Sequence, residues 1–184
     1  MKKKKLLIQT IGISIVFVVI ILLCFCFIPI QSKIDMEIAG IQCRNNDQNE
    51  YFEEKRITIK GTYNHYLFKT GDDYFNGQFS IDGYTFTYDN SSSFYINSKN
   101  KLTNSIYYTN FNAIENGDDI FIHFFGIISC KQNLERFLIC IYDPIDSTSN
   151  NWNSENGLII CAPASNRKEA IEIAQNEMNT FNWK

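Results

Sequence analysis

From Leu6 to Ile28 the chain carries no charged residue, and Lys2, Lys3, Lys4 and Lys5 stand directly before that run. An apolar stretch of this length matches the hydrocarbon core of a bilayer, and flanking lysines hold their end in the cytoplasm. No polar face interrupts the run, which sets it apart from a core helix of a soluble domain. The expectation is a tail over residues 1–5, a signal-anchor helix over 6–30 embedded through residues 6–28, and an extracytoplasmic remainder. A cleaved secretory signal is the alternative, leaving a secreted protein. Its apolar centre would be shorter, and Ile30-Gln31-Ser32 is a poor cleavage site. Five residues before the anchor leave no room for an output domain, which counts against signalling.

The remainder is long enough for one domain of ordinary size. The whole chain has a net charge of −3; without the four leading lysines the rest stands at −7. A surface of that sign excludes nucleic acid as a partner and disfavours an anionic membrane surface. Asn, Ile and Lys far outnumber Arg, which implies AT-rich codons and points to a bacterial, Gram-positive source. Fifteen Phe and ten Tyr favour sheet over helix.

The local pattern agrees with that bias. Residues 31–50 read as a juxtamembrane linker and 51–184 as the folded domain. Arg56–Phe68 alternates with period two, placing Ile57, Ile59, Gly61, Tyr63, His65 and Leu67 on one face. Phe79–Phe86 contains Asp82-Gly83, the preferred two-residue hairpin turn, which would pair Ile81 with Tyr84 and Phe79 with Phe86. Ile120–Ile128 and Phe137–Tyr142 are apolar at both parities and read as strands covered on both faces, turned by residues 131–135. Weaker strands are expected at Ser105–Thr109 and Leu158–Ala162, and a long surface loop at Asp143–Asn156. A helix over 166–181 starts on Asn166 and Glu169 and carries Ile171, Ala174, Met178 and Phe181 as its apolar stripe. The fold class is therefore α+β: a transmembrane helix, a mainly antiparallel sheet and one C-terminal helix. A β-sandwich or partly open barrel is the alternative.

Chemistry is sparse. No nucleophile elbow, zinc-protease motif, phosphate loop or C-x-x-C occurs. Cys43, Cys130, Cys140 and Cys161 could form disulfides with unspecified pairing, or remain buried thiols; Cys24 and Cys26 lie in the anchor. Asp72-Asp73 and Asp118-Asp119 adjoin glycines in turns, where acidic residues serve local hydrogen bonding, and the run Asn45–Glu50 lacks the glycine of a calcium loop. His65 and His123 fall inside predicted strands. No cofactor or metal is implied. Two functions survive. The first is a non-enzymatic binding or accessory module that recognises an envelope protein or glycan through Tyr74, Phe75, Tyr95 and Trp152. The second is an envelope hydrolase using carboxylates such as Asp73, Asp89 or Asp119.

Overall fold

The structure is a computed structural model and describes residues 2–45, 51–66, 73–96, 105–109, 122–130, 134–144 and 150–177. Helix α1 (Lys2–Phe27) leads, after Ile28 and Pro29, into strand β1 (Ile30–Arg44). There follow β2 (Phe52–His65), β3 (Asp73–Ile81), a single turn of helix α2 (Phe86–Asp89), β4 (Ser91–Ile96), β5 (Ser105–Thr109) and β6 (Ile122–Cys130). After these come β7 (Phe137–Ile141), β8 (Asp143–Pro144), β9 (Asn150–Asn151), β10 (Leu158–Ala162) and helix α3 (Arg167–Glu177).

The expected antiparallel sheet with a C-terminal helix is present, and it closes. Eight strands run up and down in the order β1-β2-β3-β4-β5-β6-β7-β10, and β10 returns to β1 through Ile41↔Cys161 and Arg44↔Leu158. Strand β1 makes closure possible. It occupies most of the stretch expected to be a linker, and Ile34, Met36 and Ile38 alternate there with Asp35 and Glu37. An eight-stranded barrel leaves an interior that side chains can fill. Here Phe75, Phe79, Phe94, Phe137 and Tyr108 do so, each at most 1% exposed. Their rings meet at centroid distances such as 5.2 Å for Phe75–Phe94 and 5.4 Å for Phe79–Phe137.

A second apolar layer lies outside the barrel. Helix α3 packs across β1, β7 and β10, burying Ala170, Ile171, Ile173 and Ala174 against Ile41, Leu138, Ile159 and Cys161. Strand β7 is consequently buried at every residue, as its apolar parity predicts. Each isoleucine that α3 buries contributes roughly 1.5–3 kcal/mol. The helix begins one residue later than its expected bound; Met178, Asn179 and Phe181 lie outside the described residues.

The predicted Asp-Gly hairpin does not form. Gly83 does turn the chain with φ +86°, and Tyr84 N–H bonds to the Ile81 carbonyl at 3.1 Å. Buried Thr87 then takes the place of a returning strand. Its Oγ1 accepts the Ile81 N–H at 2.9 Å and donates to the Tyr84 carbonyl at 2.7 Å. Tyr84 and Phe86 fold over the barrel mouth onto Phe125, so β3 pairs with β4 instead, from Asp73↔Ile96 to Gly77↔Ser92. The loop expected over Asp143–Asn156 likewise contains a short ladder, Asp143↔Asn151 and Pro144↔Asn150. Strand β6 also departs from the expected two-sided burial, since Ile122, His123 and Phe124 face solvent.

Helix α1 spans 26 residues, and the side chains described on it, from Thr10 to Leu22, are all exposed. Among the described residues no helix is long and apolar enough to cross a membrane.

Candidate functional site

The barrel has two ends, and the strand directions say which connection lies at each. Strand β1 starts beside α1, so Ile30, His65, Asp73 and Ile96 mark the near end, whereas Arg44, Phe52, Ile81 and Ile122 mark the far end. A polar cluster sits at the near end, where β2 finishes and β3 begins. Asp73 collects three donors there. Tyr63 O–H reaches Oδ2 at 2.7 Å, His65 Nδ1 reaches the same oxygen at 2.8 Å, and Tyr66 N–H reaches Oδ1 at 2.9 Å. The Tyr63 and His65 rings stack, 6.1 Å apart and inclined by 14°. Burial, followed by donation to Asp73, raises the Tyr63 phenol above its ordinary range, so it remains a proton donor.

A carboxylate that orients an imidazole is half of a general-base arrangement. The other half is a nucleophile. Among the described residues no serine, threonine or cysteine side chain bonds to His65. Asp89 is no partner for Asp73: Asp73 opens β3, whereas Asp89 lies in α2, where the neighbouring Tyr88 carbonyl accepts from Gln78 Nε2, five residues further along that strand. At about 3.3 Å per residue those five residues span about 16 Å, beyond the 5–10 Å of a glycosidase pair. Asp72, Asp118, Asp119 and the run 46–50 lie outside the described residues. Among the described residues no group of three or more His, Cys, Asp or Glu could hold a metal ion.

The four expected recognition residues separate. Phe75 is fully buried and is a core residue, because β3 turns it inward between Phe79 and Phe94. Trp152 is half-buried against the layer under α3 and donates its indole N–H to the Leu158 carbonyl at 3.2 Å. Tyr74 and Tyr95 are true neighbours: they pair across β3 and β4, with rings 6.3 Å apart, and Tyr95 is 59% exposed. Two strands further on, Tyr107 meets Phe124 at 6.3 Å, and Ile122 and Phe124 are more than half exposed. An aromatic band thus crosses the outer wall of β3–β6, on strands that α3 does not cover. Sequence parity could have found part of it once the hairpin was abandoned, since Tyr107 sits between buried Ile106 and Tyr108, and Phe124 precedes buried Phe125.

The cysteines are placed by register. Cys43, Ile159 and Cys140 share one row across β1, β10 and β7. Two strand spacings, about 10 Å, separate Cys43 from Cys140, beyond the reach of a disulfide. Burial pushes the Cys130, Cys140 and Cys161 thiols well up, which keeps them protonated and unreactive.

At the far end, Lys55 is 5% exposed, bonds Glu53 at 2.6 Å and lies 5.5 Å from the Tyr84 ring, which is ordinary satisfaction of a buried cation. Two surface grooves are present among the described residues, the second of them lined in part by Lys55. One runs beside α3 between Phe52 and Gln175, and the other lies over Glu37, Arg56 and Asp82. Compared with known protein families, curated proteins and solved structures, the chain matches none.

Proposed function

We propose that the chain is a single-pass membrane protein that holds its barrel on the extracytoplasmic face, where the barrel acts as a non-enzymatic binding or accessory module. One observation carries the reading: an apolar helix with its described side chains all exposed runs through two residues into the first strand of a barrel whose interior is full. The full interior argues against a small ligand held inside. It leaves the outer wall for recognition, and the wall's apolar feature is the band of Tyr95, Tyr107, Phe124 and Ile122. Exposed aromatics of this kind suit an envelope protein or glycan. The hydrolase reading keeps the His65–Asp73 contact and loses the Asp73–Asp89 pair.

The test has two steps. Membranes washed with alkaline carbonate retain the chain, and protease added to cell-wall-stripped cells digests the barrel from outside. Release into the wash, or a protected barrel, overturns the reading. Crosslinking in intact cells with the chain and with Tyr107→Ser/Phe124→Ser then identifies the partner, whose yield drops several-fold in the variant.

A further inference from the structure

The outer wall of the barrel is divided by charge. On β1 and β2 it is ionic: Arg56 pairs with Glu37 at 3.3 Å and Lys60 with Asp35 at 4.0 Å, all four exposed. Strands β3–β6 contain no lysine, arginine or glutamate. Their single acid, Asp73, is held by the three donors described above. Their single histidine, His123, lies at the barrel mouth with its ring 4.4 Å from that of Phe86. The open wall is left uncharged.

Across that wall runs a line of rings, one from each strand. Tyr74 lies opposite Tyr95, and Tyr107 lies opposite Phe124. Ser93 faces Tyr107, so Tyr95, two residues on, is the diagonal neighbour of Tyr107 at about 7–8 Å. Three strand spacings make the line about 14 Å long. A β-bulge sets its last member: the ladder passes from Ile106↔Gly126 to Tyr107↔Phe124 and skips Phe125. Phe125 thereby stays in the core and Phe124 on the open wall, whereas Ile127, beyond the bulge, packs against the apolar layer under α3. Among the described residues no hydrogen bond engages the hydroxyl of Tyr74, Tyr95 or Tyr107. Exposed Asn76 and half-buried Ser93 continue the row that ends in Tyr107 and Phe124.

These features select among partners. An anionic polymer calls for arginine or lysine and a cationic one for carboxylates, and this wall offers neither. A protein asks for more surface. Strands β3–β6 have 9, 6, 5 and 9 residues, every second one facing outward, which falls short of the roughly 20–30 residues a side of a standard interface. A sugar ring has apolar C–H faces and a rim of hydroxyls. Aromatic rings take the first, and tyrosine, serine and asparagine groups beside them take the second. We infer that the module binds a neutral, chain-like polysaccharide along this line, with the four rings stacking on successive sugars and Asn76, Ser93 and the tyrosine hydroxyls bonding their edges. This rests on the binding-module reading above and decides between its two partners in favour of the glycan.

The experiment is calorimetric titration of the full chain in a detergent that lacks a sugar headgroup. The ligands are maltohexaose, cellohexaose and chitohexaose, the shorter members of each series, and oligogalacturonate as an anionic control. The expected result is saturable binding of a neutral series that strengthens several-fold from disaccharide to tetrasaccharide, with no binding of oligogalacturonate. Tyr95→Ser, at a position 59% exposed, should keep the melting transition and weaken binding several-fold. Tyr95→Phe should retain most of it, and Lys60→Ser on the ionic wall should change nothing. Binding of oligogalacturonate alone, or of no ligand, overturns the inference. So does neutral binding left unchanged by both Tyr95→Ser and Tyr107→Ser/Phe124→Ser, which places the sugar elsewhere. Crosslinking in intact cells then separates the two readings. A protein captured by the chain and lost in Tyr107→Ser/Phe124→Ser keeps the module and removes the glycan, whereas no wall-dependent crosslink, together with no sugar binding, overturns both.

Discussion

Asp73 holds together two strand ends that would otherwise splay. It accepts from the Tyr63 hydroxyl, the His65 ring and the Tyr66 amide, so removing it deprives three donors at once, one of them on a buried ring. Losing bonds to a charged acceptor and stranding a half-shielded hydroxyl costs about 2–3 kcal/mol. Asp73→Ala is expected to destabilise the chain by that amount in a denaturant titration, whereas Tyr63→Phe loses about 1 kcal/mol because two donors still occupy the carboxylate. Equal stability of wild type and Asp73→Ala would show that the cluster contributes nothing to the fold. Part of the cluster was legible beforehand: parity alone puts Tyr63 and His65 on one face. Asp73 was not, because its place depends on the β2–β3 register, and Asp-rich turns look alike in sequence.

Elements differ in how openly the sequence declares them. The strands at Ser105–Thr109 and Leu158–Ala162 fall where β-rich composition and alternation place them. Strand β1 alternates just as plainly, but it follows the apolar run so closely that it reads as a linker, and without it the sheet cannot be seen to close. The Asp-Gly turn misleads for another reason. A long-range packing site for Tyr84 and Phe86 on Phe125 outweighs a local preference worth little on its own, and Thr87 satisfies the backbone that a hairpin partner would have served.

The start of α3 shows the opposite case, a local signal obeyed with a small shift. Asn166 Oδ1 accepts the Glu169 N–H at 3.0 Å, and Glu169 reaches back one residue further than a standard box, to the Ser165 N–H and hydroxyl, each at 2.8 Å. The Ser165 amide, then its hydroxyl, lowers the Glu169 carboxyl below its ordinary range. A carboxylate depressed by folding stabilises above its unfolded pKa and loses that contribution as pH falls through its folded pKa. Glu169→Gln is therefore expected to melt below wild type at pH 7, with the gap closing as the pH drops into and beneath the usual carboxylate range. A gap that persists unchanged into acid would mean that the charge plays no part in the cap.

At the scale of the whole molecule, the question is whether the helix and the barrel need one another to fold. The side chains described on α1 are exposed throughout, whereas the barrel buries its own interior and covers one outer face with α3. Burial of apolar area is the dominant favourable term in folding, and α1 shares none of it with the barrel through those side chains. Cutting before Ile30 removes no core residue and leaves β1 paired with β2 from Ile30↔His65 onward. Residues 30–184 are expected to give the same cooperative melting transition as the whole chain in mild detergent, within a few degrees, and to stay in the supernatant when membranes are sedimented. Truncation before Ser165 should do the reverse. It strips α3 from Ile41, Leu138, Ile159 and Cys161 and exposes an apolar face on three strands, so aggregation or loss of the transition is expected. The pair of truncations separates tether from core: a 30–184 chain that fails to fold would make α1 part of the barrel's structure, and a soluble, normally melting 1–164 chain would remove α3 from it.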